Sequence, residues 1–134
     1  MDELSLSGLQ ALTGRRLFSV VFVEDYVQLL FDSDAGEESQ DSHLDFFVLP
    51  DVVTSSRAYR PTAAEWAQAL RSLIGSEVVD AGESVQAGIQ VVLTKGSVTL
   101  RADERFGEAI EVAFLQVGGR IEVWRPGEGV FETT

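Results

Sequence analysis

Short runs of hydrophobic residues with the spacing of β-strands recur along most of the chain. Arg16–Val23 and Tyr26–Phe31 are rich in valine, leucine and phenylalanine, and only an acidic dipeptide separates them. This pattern predicts two strands joined by a tight hairpin turn. Because both runs are apolar at nearly every position, we expect both strands to lie centrally in a sheet, with both faces covered.

One segment instead has the spacing of a helix. Thr62–Ile74 carries apolar side chains three and four residues apart, opens with a threonine and a glutamate placed as a capping box, and is followed by Gly75. These features predict one main helix that ends at a left-handed glycine. We expect Trp66 and Leu70 of this helix to pack on the sheet.

The remaining hydrophobic runs predict further strands, two pairs of them joined by glycine turns. The predicted strands are Leu44–Leu49, Glu77–Asp80, Gly88–Thr94, Ser97–Ala102, Ala109–Val117 and Arg120–Trp124, and the predicted turns are Lys95–Gly96 and Gly118–Gly119. Asp51–Pro61 is predicted as a connector, and Leu4–Leu12 as a short helix. The chain is therefore predicted to be α+β, with a mainly antiparallel sheet of hairpins and one main helix packed on it. Its 134 residues fit a single acidic domain, residues 1–134.

Composition narrows the chemistry that this domain could perform. The chain has no cysteine, which excludes disulfides, thiolate zinc sites and a cysteine nucleophile. The acidic start, Met1–Glu3, lacks the basic and apolar regions of a secretory signal. No apolar run approaches the roughly 20 residues of a membrane helix. We therefore expect a cytoplasmic protein that does not enter a membrane.

Charge narrows the choice of partners. The formal net charge is -12, from 22 acidic and 10 basic side chains. Such a field repels the phosphate backbone of nucleic acids, so we expect no nucleic-acid partner. The same field would attract a basic protein, although solubility alone also accounts for an acidic surface.

The acidic segment Asp32–Ser42 and the single histidine, His43, are the nearest approach to a chemical motif. Clustered carboxylates suit calcium, but the glycine and the closing acid of a calcium loop are out of place here. We expect a solvated loop without metal. His43 has no GxSxG elbow to accompany it. The sequence therefore predicts no catalytic residue, no metal and no cofactor.

Five residues are candidates for binding. Arg57, Tyr59 and Arg60 form a compact basic and aromatic cluster, which could clamp an anion or neutralise the acidic loop. Trp124 closes the last predicted strand, where it could form a contact with a second copy or another protein, or complete the core. Tyr26 could line a pocket between helix and sheet.

Three segments together carry a resemblance. LTGRRLFSVVFVEDYVQLLFD, ALRSLIGSEVV and EVWRPGEGVFE resemble a group of small bacterial proteins of unknown function with the same order of hairpin, helix and hairpins. The resemblance covers most of the chain and rests on hydrophobic pattern and a few glycines. It implies a similar fold and transfers no site residue and no activity.

Two hypotheses about function follow. The first is a non-catalytic protein-interaction domain, of inhibitor or immunity type, whose partner is a basic protein or a second copy in a homodimer. The second is a small-ligand-binding or enzymatic domain with a pocket between helix and sheet. A deep pocket with convergent polar groups would favour the second hypothesis. Because no catalytic motif is present, we favour the first hypothesis over an enzyme.

Overall fold

The computed structural model describes residues 8–32, 42–55, 57–102, 106–107 and 109–131. Strands account for 50% of these residues and form two antiparallel sheets, beside one small α-helix and 3-10 turns. The prediction of an α+β fold with one main helix is therefore wrong, and the architecture is mostly β. Two changes produce this difference: the predicted helix is shorter, and a segment predicted as a connector forms strands.

Five strands form sheet I, in the spatial order β1-β2-β3-β9-β10. Their bounds are β1 Leu17–Val23, β2 Tyr26–Phe31, β3 Ser42–Phe46, β9 Ala113–Val117 and β10 Arg120–Trp124. The predicted first hairpin is confirmed, because Val23 pairs with Tyr26 across a two-residue turn. The expectation that both of its strands are central is correct for β2 and wrong for β1, which is an edge strand.

Five further strands form sheet II, in the spatial order β5-β4-β8-β7-β6. Their bounds are β4 Asp51–Thr54, β5 Arg57–Tyr59, β6 Val78–Ser84, β7 Gly88–Leu93 and β8 Gly96–Leu100. The hairpin of β4 and β5 lies in the segment that the sequence predicted as a connector. Its strands are only four and three residues long, so their hydrophobic signal is weak.

Both sheets bury one face in a single hydrophobic core. Burial alternates along β2, where Val27, Leu29 and Phe31 are fully buried and the residues between them are partly exposed. This period of two is the expected one for a strand with one covered face. The sheets also meet through the backbone: the Leu17 amide donates to the Ser76 carbonyl at 2.9 Å, and the Gly75 amide donates to the Leu17 carbonyl at 2.7 Å.

The single α-helix, α1, spans only Trp66–Arg71. Trp66 and Leu70 are buried as predicted, at 6% and 0% exposure, and the Trp66 indole donates to the Pro50 carbonyl at 2.8 Å. The predicted capping box does not form, because Glu65 at the N-cap position makes no side-chain cap hydrogen bond. Short helices are marginal by themselves, so the packing of its buried face on the core stabilises α1.

Tight turns replace the two ends of the predicted helix. At the exit, the amides of Leu73 and Ile74 bond to carbonyls three residues earlier, which tightens the chain into 3-10-type turns. Gly75 follows with a φ of 99°, in the left-handed region predicted for it. The chain thereby leaves the helix and joins β1 through the Leu17 carbonyl.

Glycine turns follow the sequence prediction at one hairpin and shift at the other. Gly118–Gly119 joins β9 to β10 as predicted, since Val117 pairs with Arg120. Leu93 instead pairs with Gly96, so the turn between β7 and β8 is Thr94–Lys95. Gly96 is thus the first residue of β8, where a β-carbon would clash with the Val53 carbonyl oxygen, so the close approach of β4 requires glycine there.

Two 3-10 helices complete the described chain. The N-terminal 3-10 helix, Gly8–Leu12, packs along β6, and the C-terminal 3-10 helix, Gly129–Phe131, contacts β7. The sequence predicted a short helix over residues 4–12, part of which lies outside the described residues. None of the helices within the described ranges is long and apolar enough to cross a membrane.

Candidate functional site

Two antiparallel sheets give the molecule four edge strands, β1 and β10 in sheet I and β5 and β6 in sheet II. An edge strand exposes unpaired amides and carbonyls, and proteins protect such edges with charges, proline, short length or a covering segment. Three of the four edges in the described part of the chain carry such protection. The fourth edge, β1, is covered only at its first residue, Leu17, whose amide and carbonyl bond to Ser76 and Gly75.

The protected edges each use a different combination of devices. β5 is three residues long, contains Arg57 and is soon followed by Pro61. β10 contains Arg120 and Glu122, which pair at 3.1 Å, and Pro126 follows it. β6 contains acidic residues and lies under the N-terminal 3-10 helix, with the Gln10 side chain donating to the Ala81 carbonyl at 3.1 Å.

The unprotected edge, β1, has the sequence LFSVVFV, without a charge or a proline. Its last three residues, Val21, Phe22 and Val23, are each 38% exposed. Because Val23 and Tyr26 flank a two-residue turn, they form a hydrogen-bonded pair. Antiparallel alternation then directs the amide and carbonyl groups of Phe22 and Val20 away from β2. We call residues 20–23 the open edge.

Aromatic and cationic side chains border the open edge on its inner face. The Phe22 ring meets the Trp66 ring edge-on, with centroids 6.0 Å apart. The Arg71 guanidinium lies 5.5 Å from the centroid of the same Phe22 ring. Both contacts are made by the Phe22 ring, which packs against α1, and neither involves the Phe22 backbone. Within the described residues, no backbone hydrogen bond joins the outer side of residues 20–23 to another segment.

The outer face of sheet I, which points away from the core, continues from the open edge across all five strands. The strand register places its residues in two rows: Val21, Gln28, Asp45, Phe114 and Val123 in one, and Ser19, Leu30, His43, Gln116 and Ile121 in the other. Apolar residues dominate both ends of this face, and Ile121 is 58% exposed. Exposed apolar residues at the ends of a sheet face are the kind of surface that contacts other proteins.

A histidine and an aspartate form the polar centre of this outer face. His43 Nδ1 lies 2.9 Å from Asp45 Oδ1, and the His43 ring stacks on Phe114 with centroids 5.9 Å apart. His43 is thus part of a strand and not of the predicted loop. A bond to the carboxylate places the proton of the neutral ring on Nδ1 and leaves Nε2 as an acceptor.

Ser42, the residue next to His43 in the described chain, does not complete a catalytic arrangement around this pair. Ser42 precedes His43 on the same strand, so its side chain points to the opposite face of the sheet. Ser42 is fully buried, and its Oγ has no hydrogen-bond partner among the described residues. The pair therefore orients an imidazole on the outer face and does not form a Ser-His-Asp triad with Ser42. The sequence contains a signal for this pair, because a histidine and an aspartate two residues apart on a strand lie on the same face.

The structure separates the aromatic binding candidates from one another. Trp124 is 7% exposed in the core, and its indole nitrogen donates to Glu83 Oε1 at 2.5 Å, joining β10 to β6. Tyr26 is partly exposed at the far end of sheet I, with its ring 5.4 Å from that of Phe47. Next to Phe47 lies an apolar cavity of about 340 Å³.

The basic candidates lie on sheet II, at its β5 edge. The Arg57 guanidinium lies 5.2 Å from the centroid of the Tyr59 ring, which is the geometry of a cation–π contact. Arg60 is exposed immediately after β5. Arg57 and Tyr59 are therefore in contact, on the opposite sheet from Tyr26. The joint role of these two residues with Arg60 in binding stays a prediction. Most of the acidic loop, residues 33–41, lies outside the described residues, so its contact with this cluster stays a prediction.

Comparisons with known proteins assign no site. No family model, no curated protein and no solved structure matches the chain. Over the described ranges, no group of three or more histidine and acidic side chains is placed to hold a metal ion. The open edge and the outer face of sheet I are therefore the candidate site on physical grounds alone.

Proposed function

We propose that the protein is a non-catalytic protein-interaction domain whose contact surface is the open edge of β1. The observation that carries this proposal is the run of exposed apolar residues Val21–Val23 on an edge strand without charge, proline or cover. Main-chain groups on such a strand pair with an extended segment of another chain, while alternate side chains provide specificity. Proteins blunt edges that are not used in this way.

The occupant that fits this edge best is a second copy of the same strand. In an antiparallel pair about a twofold axis through Val21, Val20 of one copy faces Phe22 of the other. These two residues are the ones whose amides and carbonyls point outward. The register therefore forms hydrogen-bonded pairs on both sides of the axis. In this register Val23 faces Ser19, and Val21 faces Val21 of the other copy, so every residue of the open edge faces an apolar residue or a serine.

The large negative charge does not oppose this pairing strongly. No charged residue lies within β1, and the nearest acid on the turn is Glu24. In the twofold register the two Glu24 residues are separated by about six residue steps, or roughly 20 Å. This distance exceeds the Debye length of about 8 Å at physiological ionic strength. A contact restricted to one short strand is small, so we expect a reversible dimer.

Sedimentation velocity on the purified chain, over a wide range of concentrations, tests the proposal. We expect a concentration-dependent dimer. Val21→Lys places two ammonium groups opposite each other across the axis and should weaken the dimer by about tenfold or more. The matched control is Val79→Lys on the protected edge β6, where the native valine is 50% exposed. This control should leave the dimer unchanged.

Two results would contradict the proposal. A wild-type chain that stays monomeric at every concentration would exclude the second copy as occupant. Equal weakening by Val21→Lys and Val79→Lys would show that total charge, and not the open edge, controls association. Stoichiometric binding of a basic protein that Val21→Lys abolishes, in a chain that stays monomeric, would replace the second copy by a heterologous partner at the same edge.

A further inference from the structure

Two neighbouring hairpin turns enclose an open cavity at one end of sheet II. The turn after β4 begins with Ser55, and the turn between β7 and β8 is Thr94–Lys95. Pairing of Thr54 with Gly96 brings these turns side by side, and Ser72 after α1 closes the third side. The cavity has a volume of about 690 Å³, within the range of small-molecule sites, roughly 300–1,000 Å³.

Hydroxyl groups line this cavity, and most of them can donate a hydrogen bond inward. Thr94 Oγ1 accepts the Glu77 amide at 3.3 Å, so its own hydroxyl hydrogen stays available to a ligand. Over the described ranges, the side chains of Thr54 and Ser55 make no hydrogen bond with the rest of the protein. Ser72 donates to the Ala69 carbonyl at 2.6 Å and offers only lone pairs.

Among the described residues that line the cavity, Lys95 alone is charged. It is also the only lysine in the chain, and no described side chain pairs with it. Arg57 pairs with Thr54 from β5, but its guanidinium lies over the Tyr59 ring, so Lys95 supplies the positive charge of the cavity. The cavity thus concentrates positive charge and hydroxyl donors on a molecule whose net charge is -12.

Two backbone features lie beside this cavity. Ser55 has a φ of 47° and is the one non-glycine residue with positive φ in the described chain, a conformation that two-residue hairpin turns use. Because a serine occupies this position, a hydroxyl-bearing residue lies beside the lysine turn. Gly75 faces Lys95, since a β-carbon at Gly75 would lie 3.7 Å from the lysine Nζ.

We propose that this cavity binds the phosphate group of a small, polar, phosphorylated molecule. A lysine ammonium binds phosphate as a point charge, and the hydroxyls of Thr54, Ser55 and Thr94 supply neutral donors to the other phosphate oxygens. A bare phosphate ion would fill only part of the volume, so the ligand includes a further polar body such as a sugar. The site is independent of the pairing at β1, which is on the other sheet.

Titration with ribose 5-phosphate, followed by calorimetry and by amine acylation, tests the proposal. Because the chain has a single lysine, mass spectrometry reads the acylation of Lys95 directly, and the bound ligand should slow it. Lys95→Gln should weaken binding by about tenfold or more. The matched control Arg101→Gln removes an equal charge just beyond the opposite end of β8 and should change the affinity less than about twofold.

Each remaining outcome would overturn the proposal or a defined part of it. No saturable binding of ribose 5-phosphate, or binding unaffected by Lys95→Gln, would exclude the site. Equal affinity for inorganic phosphate would exclude the contribution of the sugar, and equal affinity for citrate would exclude phosphate selectivity. Loss of binding in Val21→Lys, which lies on sheet I, would contradict the independence of the two sites.

Discussion

β1 and β6 are both edge strands of seven residues, and they differ in what lies along their outer sides. β6, with the sequence VVDAGES, contains two acids, an irregular pairing between Val78 and Asp80, and a covering 3-10 helix. β1, with the sequence LFSVVFV, contains no acid and lies under no covering 3-10 helix of the described chain. Its own irregular pairing lies between Leu17 and Ser19, at the other end of the strand from its three exposed last residues. One edge is therefore closed by the molecule itself, and the other is available to another chain.

The protection of the β6 edge comes from segments that are distant from it along the chain. The Gln10 side chain bonds to β6 from 71 residues away in sequence. Glu83 of β6 accepts the Trp124 indole hydrogen from β10 of the other sheet. Neither contact is visible in the local pattern of β6. Substitutions at these contacts should change the free energy of unfolding, whereas substitutions at the open edge of β1 should change dimerisation.

The largest effect is expected where the cover of β6 enters the core. Leu12 in the N-terminal 3-10 helix is fully buried, so Leu12→Ala should lower the free energy of unfolding by about 2–5 kcal/mol. Urea denaturation followed by circular dichroism measures this loss. As a control, Val21→Ala at the open edge should cost less than about 1 kcal/mol, because its side chain is partly exposed. Equal losses would remove the distinction between the two edges.

An intermediate effect is expected at the contact between the two protected edges. Trp124→Phe removes the indole hydrogen bond to the Glu83 carboxylate and should destabilise the fold by about 1–3 kcal/mol. Trp66→Phe is the matched control, since Trp66 is equally buried but donates to the neutral Pro50 carbonyl. Trp66→Phe should lower the free energy of unfolding by less than Trp124→Phe, because hydrogen bonds to charged groups are stronger than those to neutral groups. Neither substitution should change dimerisation in sedimentation, and a dimer lost only in Trp124→Phe would place the interface at β10.

The smallest effect on stability is expected at the open edge itself. Val21→Thr preserves shape and β-branching, so the free energy of unfolding should change by less than about 0.5 kcal/mol. The dimer should nevertheless weaken several-fold, because two hydroxyls then lie opposite each other in an apolar contact. Val79→Thr on β6 is the control, and sedimentation equilibrium compares the two. An unchanged dimer in both variants would place the contact away from Val21.

The hydrophobic pattern alone predicted several local elements correctly. It located the hairpin of β1 and β2, the glycine turn between β9 and β10, and the buried face of α1 with Trp66 and Leu70. These features depend on neighbours close in sequence, where periodicity and turn chemistry act directly. The contact between Arg57 and Tyr59 is also local, because the two residues lie two positions apart on one short strand and share a face.

The proposals rest on two features that depend on tertiary structure: the edge position of β1 and the cavity at Lys95. Apolar runs look the same in central and edge strands, so the sequence placed β1 in the interior, whereas its partner strands leave one side uncovered. The cavity at Lys95 requires two turns 40 residues apart to meet, which the pairing of β4 with β8 alone produces. The sequence determined where strands and turns form, since these are local preferences. The tertiary structure decided which strand is an edge and which turns converge, because both depend on the pairing of segments distant along the chain.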